Sequence, residues 1–253
     1  MSWRQPKLPS GYRLITFDSI GSTNDEAMRL ARSGAAAGTL LWALEQTAGR
    51  GRRGQAWVSP PGNLYASLIL RPDCPASRAS QLGFVAALAI GEAAETVCPA
   101  LRVSYKWPND VLINGRKIAG ILLESEMILH CKPSFVVIGV GVNLSVAPKH
   151  TELPATSLLA EGGGAVPPGA MLEEFARHFH GWETRWQIQG FAPVRAAWLA
   201  QAAVSRGLPI RVRLGASSLH GRFVDVDEEG ALLLDAAGER RQISAGEVFP
   251  VSS

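Results

Sequence analysis

Three guanidinium groups fall within four residues in Gly49-Arg50-Gly51-Arg52-Arg53-Gly54. Arginine offers a planar fork that fits the oxygens of a carboxylate or phosphate, and glycine lets backbone N–H groups turn toward the same anion. The run formally satisfies the GxGxxG pattern of dinucleotide folds. That reading requires a helix immediately afterwards, and the paired prolines of Gln55-Ala56-Trp57-Val58-Ser59-Pro60-Pro61-Gly62 forbid one. No Gly-Lys-Ser/Thr follows, so a nucleoside-triphosphatase phosphate loop is excluded too. Three readings remain: a flexible loop that closes over an anionic ligand, a solvated basic turn, or a contact to a nucleic-acid phosphate backbone.

A second cationic stretch lies farther along. Lys106-Trp107-Pro108-Asn109-Asp110 is followed by Arg116-Lys117-Ile118-Ala119-Gly120. Alternation along the latter puts Lys117 in parity with Ala119, Ile121 and Leu123, while Ile118, Gly120 and Leu122 take the other face. A strand apolar on both faces is central in a sheet, and a lysine there is costly unless it meets an anion or reaches water along its stem. Asp110 has three open roles: a partner for Lys106, a metal ligand, or a turn cap. Asn143 follows Gly139 and Gly141 and is read either as an amide turned toward a ligand or as a bond to neighbouring backbone.

The elements that must hold these residues can be read from pattern. Residues 13–18, 39–45, 64–70, 102–107 and 135–144 read as strands, and residues 111–113 and 117–123 form a hairpin about Asn114-Gly115. Ser22-Thr23-Asn24 stands where a strand hands over to a helix, and Thr23 with Glu26 matches a capping box. Residues 81–97 are helical. Leu172, Phe175, Ala176, Phe179, Trp182 and Trp186 share one helical face, and residues 193–201 continue as a short helix. Residues 46–62 and 147–169 read as irregular. From about residue 207 the texture changes to short strands at 210–214, 219–226, 231–234 and 240–243. These predict a small all-β barrel of about fifty residues.

Composition sets the class. The 253 residues are 47% hydrophobic and 19% charged, with a formal net charge of +3, which suits a packed core and gives no broad case for nucleic acid. The three cysteines, Cys74, Cys98 and Cys131, are widely spaced and outside CxxC pairs, as in a reducing compartment. Arg4 and Lys7 are not followed by an apolar run, and no stretch reaches the roughly 18 apolar residues of a membrane span. The expected location is cytoplasmic, with no membrane partner.

Taken together, four blocks resemble the biotin–protein ligase family: Ser22-Thr23-Asn24; Gln46-Thr47-Ala48 running into the Gly-Arg hexapeptide; Lys106-Trp107-Pro108-Asn109-Asp110 with Arg116-Lys117-Ile118-Ala119-Gly120; and Gly139-Val140-Gly141-Val142-Asn143. The resemblance implies an α+β fold. A mixed sheet with helices, similar to class II synthetases, would occupy residues 1–205 and an SH3-like barrel residues 206–253. It implies a biotin pocket of Ser22, Thr23, Asn24, Gln46, Arg50, Gly51, Arg52 and Lys117. The nucleotide side would be Arg50, Arg52, Trp57, Lys106, Asn109, Asp110 and Asn143, with Lys117, Arg52 and Lys106 closest to the chemistry. No protein-held metal is expected.

The implied reaction joins biotin to ATP as biotinyl-5′-AMP, with Mg²⁺ on the phosphates. The biotinyl group then passes to a lysine of a biotin carboxyl carrier protein or domain, as in acetyl-CoA carboxylase. Some family members carry a winged helix-turn-helix ahead of the Ser-Thr-Asn block. Only about twenty residues precede Ser22, so no DNA partner and no repressor function are expected. Monomer and homodimer both stay open. The nearest rival is a lipoate or octanoate ligase or transferase, whose Arg-Gly-Gly-Gly run and His-Asp motif are not found. The rival of another class is a nucleic-acid-binding module, which leaves Lys117 on an apolar strand unexplained.

Overall fold

The computed structural model describes residues 5–127 and 132–251, so Arg4 and Cys131 lie outside the described residues. In chain order the elements are β1 (Arg13–Ile20), α1 (Thr23–Arg32), β2 (Thr39–Gln46), a single 3-10 turn (Arg52–Gly54), β3 (Leu64–Leu70), α2 (Ala76–Ser80), α3 (Leu82–Val97), β4 (Val103–Lys106), β5 (Asp110–Ile113), β6 (Arg116–Met127), β7 (Pro133–Val142), α4 (Pro168–Gln189) and α5 (Ala192–Ala200). Then come β8 (Pro209–Leu214), β9 (Ser217–Val226), β10 (Leu232–Ala236), β11 (Glu239–Ile243) and β12 (Glu247–Pro250). β1 to β7 form a seven-stranded sheet in the order β1-β2-β3-β7-β6-β5-β4. Only the β1–β2 pair is parallel, which makes the sheet mixed.

The two faces of this sheet differ because strand parity sorts the side chains. On β3 and β7, Leu64, Ala66, Leu68, Val136, Ile138 and Val140 join the main core with α3 and α4. Their opposite-parity neighbours Ile69, Phe135 and Val137 pack with Ala27 and Ala31 of α1. On that second face β3 also carries the fully buried Ser67, and β7 carries Gly139 and Gly141. Helix α1 covers only part of the face. Where the glycines remove side chains, the sheet surface drops away and a cleft opens.

Several expectations need correction. Ser22, not Thr23, is the N-cap of α1, and its side chain accepts from the Asp25 N–H. Thr23 is therefore inside the helix, with its hydroxyl free for another partner. The short α2 and strand β12 carry too little periodicity to be read from sequence. Trp182 is only half-buried while Met171 takes a core place on α4. The hairpin turn behaves as expected, with Asn114 at φ 51 and Gly115 at φ 71.

The parity expected of Lys117 is wrong for a definable reason. The β5–β6 register runs Val111 to Ala119 and then Leu112 to Lys117, so β6 holds one extra residue at Ile118. This bulge sends Ile118 and Ala119 together into the main core. It turns Lys117 onto the face of Gly120, where a Cβ on Gly120 would lie 3.2 Å from the Lys117 ammonium.

The second sheet, in the order β11-β10-β9-β8-β12, is antiparallel throughout. It docks on the first unit through Trp107, whose Nε1 donates to the Gly230 carbonyl at 3.0 Å. Gln81 links the same parts: its Oε1 accepts from Trp186 at 2.8 Å and its Nε2 donates to the Glu228 carbonyl at 3.0 Å. Cys74 and Cys98 are buried free thiols, both pushed up from the ordinary thiol range by burial. Among the described residues no helix is long and apolar enough to cross a membrane.

Candidate active site

A cleft of about 410 Å³ lies over the glycine-bearing part of β6 and β7, within the range that holds a small organic ligand. Every residue that the family resemblance assigns to the site lines it: Ser22, Thr23, Asn24, Gln46, Arg50, Gly51, Arg52, Trp57, Lys106, Asn109, Asp110, Lys117 and Asn143. Arg53 does not, and it sits exposed at the loop tip with φ 54. The two cationic stretches, far apart in sequence, thus meet at one cavity.

At one end the charges concentrate. Lys106 and Asp110 face each other as the last pair of the β4–β5 register. Their ammonium and carboxylate are 2.7 Å apart, and Lys117 reaches the other oxygen of Asp110 at 2.5 Å. Lys106 and Asp110 are buried, whereas the Lys117 side chain keeps 23% exposure. Burial pushes the Asp110 carboxyl up, but the Lys117 and Lys106 ammonium groups outweigh it and hold the acid below the usual carboxylate range. One carboxylate between two ammonium groups leaves an excess positive charge in the cleft wall. Asn109 donates its Nδ2 to the Ile121 carbonyl at 2.8 Å. That fixes its Oδ1, which receives Arg52 Nη1 at 3.1 Å; the same nitrogen donates to the Gly246 carbonyl at 3.3 Å. Burial, and then Arg53, hold the Arg52 guanidinium below its ordinary value.

The loop that carries the arginines is more ordered than an irregular stretch. Its stem is closed by bridges Gln46 to Ser59 and Arg50 to Ala56, with the single 3-10 turn at the tip. Gly49 is required at the stem, because a Cβ there would lie 2.5 Å from both Ser59 Oγ and the Trp57 carbonyl. The loop lays the Trp57 indole into the cleft, where a Cβ on Gly141 would come within 2.4 Å of its ring. Lys117 Nζ lies 5.2 Å from the centre of that ring, a cation–π distance. The indole Nε1 is buried and has no hydrogen-bond partner among the described residues.

At the other end the groups of the cleft floor are uncharged. Gln46 Oε1 accepts from both the Thr23 N–H at 2.8 Å and the Thr23 hydroxyl at 3.0 Å. Gln46 Nε2 donates to Ser59 Oγ at 3.0 Å. Ser67 Oγ sits 2.8 Å from Thr23 Oγ1 and 2.6 Å from Asn24 Oδ1. Asn24 Nδ2 donates to Glu124 at 2.9 Å. Gly139 makes room for that amide, since a Cβ would fall 2.1 Å from Asn24 Oδ1. Asn143 lines the cleft too, but its Nδ2 donates to the Thr156 carbonyl at 3.1 Å, the backbone role allowed for it above.

Sequence reading missed the second domain's share of the cleft. Arg213, Glu247 and Phe249 line it together with Glu152. Arg213 pairs with Glu247 and, at 2.7 Å, with Glu152. The Phe249 ring lies 4.4 Å from Arg211, 4.9 Å from Arg213 and 5.8 Å from the Lys106 ammonium. Ser67 and Glu124 were missed as well. No local motif marks any of them, because each acts through a partner distant in sequence. The three carboxylates that line the cleft, Asp110, Glu152 and Glu247, are all paired with cations. Among the described residues, no group of three or more His, Cys, Asp or Glu could hold a metal ion.

Comparison with known proteins bears on what this cleft is for. The sequence model of the biotin/lipoate A/B protein ligase family matches residues 8–200, and that of the biotin protein ligase C terminal domain matches residues 207–249. A biotin--[acetyl-CoA-carboxylase] ligase of Paracoccus denitrificans is 46% identical over 236 residues, 90% of this chain and 96% of its own. The bifunctional ligase/repressor BirA of Bacillus subtilis is 34% identical over 94% of this chain and 74% of its own. Among solved structures, the biotin protein ligase from Aquifex aeolicus in complex with biotin and ATP aligns with a TM-score of 0.81 at 26% identity, over 95% of this chain and 99% of that one.

Proposed function

The chain belongs to the biotin/lipoate A/B protein ligase family, and on that premise we propose that it activates biotin with ATP and transfers the biotinyl group to a lysine of a biotin carboxyl carrier protein or domain. One observation carries this reading: an uncharged hydrogen-bonding pocket adjoins two ammonium groups and a guanidinium in a single cleft. A neutral ureido ring suits the first part, and a carboxylate beside a phosphate suits the second. The 46% identity to a named biotin ligase supports biotin over lipoate as the acid.

In the first half-reaction a biotin carboxylate oxygen attacks the α-phosphorus of ATP, and the bond from that phosphorus to the bridging oxygen breaks to release pyrophosphate. The two reactants are both anionic and repel each other. Lys117, Lys106 and Arg52 offset that repulsion, and because Asp110 holds the two ammonium groups and Asn109 the guanidinium, they reorganise little as charge shifts. Mg²⁺ arrives as part of the nucleotide substrate. The paired state of Asp110, Glu152 and Glu247 suits an ion held mainly by phosphate oxygens and water. Closure of the Gly-Arg loop and Trp57 over the mixed anhydride excludes water. In the second half-reaction the neutral amine of the acceptor lysine attacks the acyl carbon, and AMP leaves. We assign the ligase chemistry to residues 1–205, with residues 206–253 closing the nucleotide side of the cleft.

The deciding experiment incubates the protein with biotin, ATP-Mg²⁺ and a biotin-acceptor domain and follows the acceptor by mass spectrometry. The expected result is gain of one biotinyl group on one lysine only when all components are present. Modification by lipoate in place of biotin, or none at all, overturns the reading.

A further inference from the structure

Glu124 belongs to no motif, yet it touches both halves of the site. Its carboxylate accepts from Asn24 Nδ2 at 2.9 Å and pairs with Arg50 Nη2 at 2.8 Å, with 26% of the side chain exposed. Asn24 is otherwise fixed by Ser67 at its Oδ1 and by the Leu122 carbonyl at 3.4 Å. Arg50 also meets Asp25 through the same Nη2 at 2.5 Å. Its Nε and Nη1 have no partner among the described residues, so one nitrogen anchors the guanidinium and the other two remain for an anion. A continuous chain of polar contacts results. It leaves the loop at Ser59, crosses the pocket floor through Gln46, Thr23, Ser67 and Asn24, and returns to the loop at Arg50 through Glu124.

We propose that Glu124 is a positioning residue: it fixes the Asn24 amide of the pocket floor and, with Asp25, anchors Arg50, so that one carboxylate couples the pocket floor to the closed loop. The ligand side of this statement rests on the proposed biotin reading, but the loop side does not. An ordinary exposed ion pair contributes little. Glu124 differs because removing it takes a partner from a floor amide and from a loop guanidinium at once, leaving Arg50 with Asp25 alone.

The test uses the full chain and the variants Glu124→Gln, Glu124→Ala and Arg50→Gln. Glutamine keeps an oxygen for Asn24 but loses the negative charge that holds Arg50; alanine loses both functions. Without any ligand, initial trypsin cleavage after Arg53 should rise about fivefold in Glu124→Gln, the scale of a lost ion pair. Glu124→Gln should add nothing further in an Arg50→Gln background. In biotin-dependent pyrophosphate release, Glu124→Ala should raise the KM for biotin about tenfold and Glu124→Gln about threefold, with kcat moving less than KM in both. Wild-type cleavage in Glu124→Gln, or full additivity with Arg50→Gln, overturns the proposal. So does an equal fall in kcat with no change in KM. Because cleavage is read without substrate, a wild-type protein that fails to turn over biotin counts against the functional reading alone.

Discussion

The two ends of the cleft solve the problem of buried polarity in opposite ways. Thr23, Gln46, Ser59, Ser67 and Asn24 are neutral and bond one another. Lys106, Lys117 and Arg52 surround one carboxylate and one amide and retain an excess of positive charge. A satisfied neutral network holds its shape without a ligand and can select a substrate by fit. An under-neutralised cationic cluster is completed only by an anion, and its attraction grows as water leaves. The difference assigns recognition to one end and charge chemistry to the other, and it also says how mutations at each end should register in kinetics.

The largest effect should come from the charged end. Lys117→Ala leaves Asp110 paired with Lys106, so the fold survives, but the reacting anions lose a neutralising ammonium. Biotin-dependent pyrophosphate release should fall in kcat by roughly 10³-fold, the scale of one lost electrostatic stabiliser. If the loss appears only in the KM for biotin, the charged end is a binding device and the division between the ends fails.

At the neutral end the expected change is smaller and of another kind. Ser67→Ala removes the hub between Thr23 and Asn24 and leaves the Asn24 Oδ1 short of a donor, at a cost of about 1–3 kcal/mol in stability. The KM for biotin should rise about tenfold while kcat stays within about twofold, as expected for loss of uniform binding. Steady-state kinetics beside a thermal melt measures both. A kcat effect larger than the KM effect would show that the floor network takes part in the chemical step.

This contrast also explains what the sequence made legible. The charged end announces itself, because lysine on an apolar strand and arginine among glycines are unusual locally and need no partner to be noticed. The strand and helix pattern was equally local, apart from α2 and β12, whose four or five residues hold less than two turns or one clear alternation. The neutral end was visible only as Ser22-Thr23-Asn24 and, through the family resemblance, Gln46, with the capping role set one residue too late. Ser67 and Glu124 look like ordinary strand residues until β3 and β6 are folded beneath α1. The bulge at Ile118 is the sharpest case. Strict alternation gave Lys117 the wrong face, and only the pairing register with β5 supplies the extra residue that corrects it.

A second, partly buried carboxylate, remote from both ends, separates burial from charge pairing. Asp110 is buried and held low by two ammonium groups. Glu183 on α4 is pushed up to about 7 by burial, with no cation to oppose it. Its charge also acts on the Tyr12 phenol, which burial and then Glu183 raise. Gln187 Nε2 donates to it at 3.4 Å, and His180, one turn earlier, packs edge-on against the Tyr12 ring. The signs follow by linkage. The folded protein holds the Glu183 proton after the unfolded chain has released it, so this contribution is full below about pH 4.5 and is lost as pH rises toward 7. Asp110 behaves oppositely: its contribution is present above the ordinary carboxylate value and is lost only as pH falls below it. Between pH 4.5 and 8 the Asp110 contribution is therefore flat and the Glu183 contribution declines, by at most about 3 kcal/mol. Glu183→Gln should melt close to wild type at pH 4.5 and several degrees higher at pH 8. Parallel melting curves across that range would mean that Glu183 is solvated, and that burial alone does not move a carboxyl in this fold.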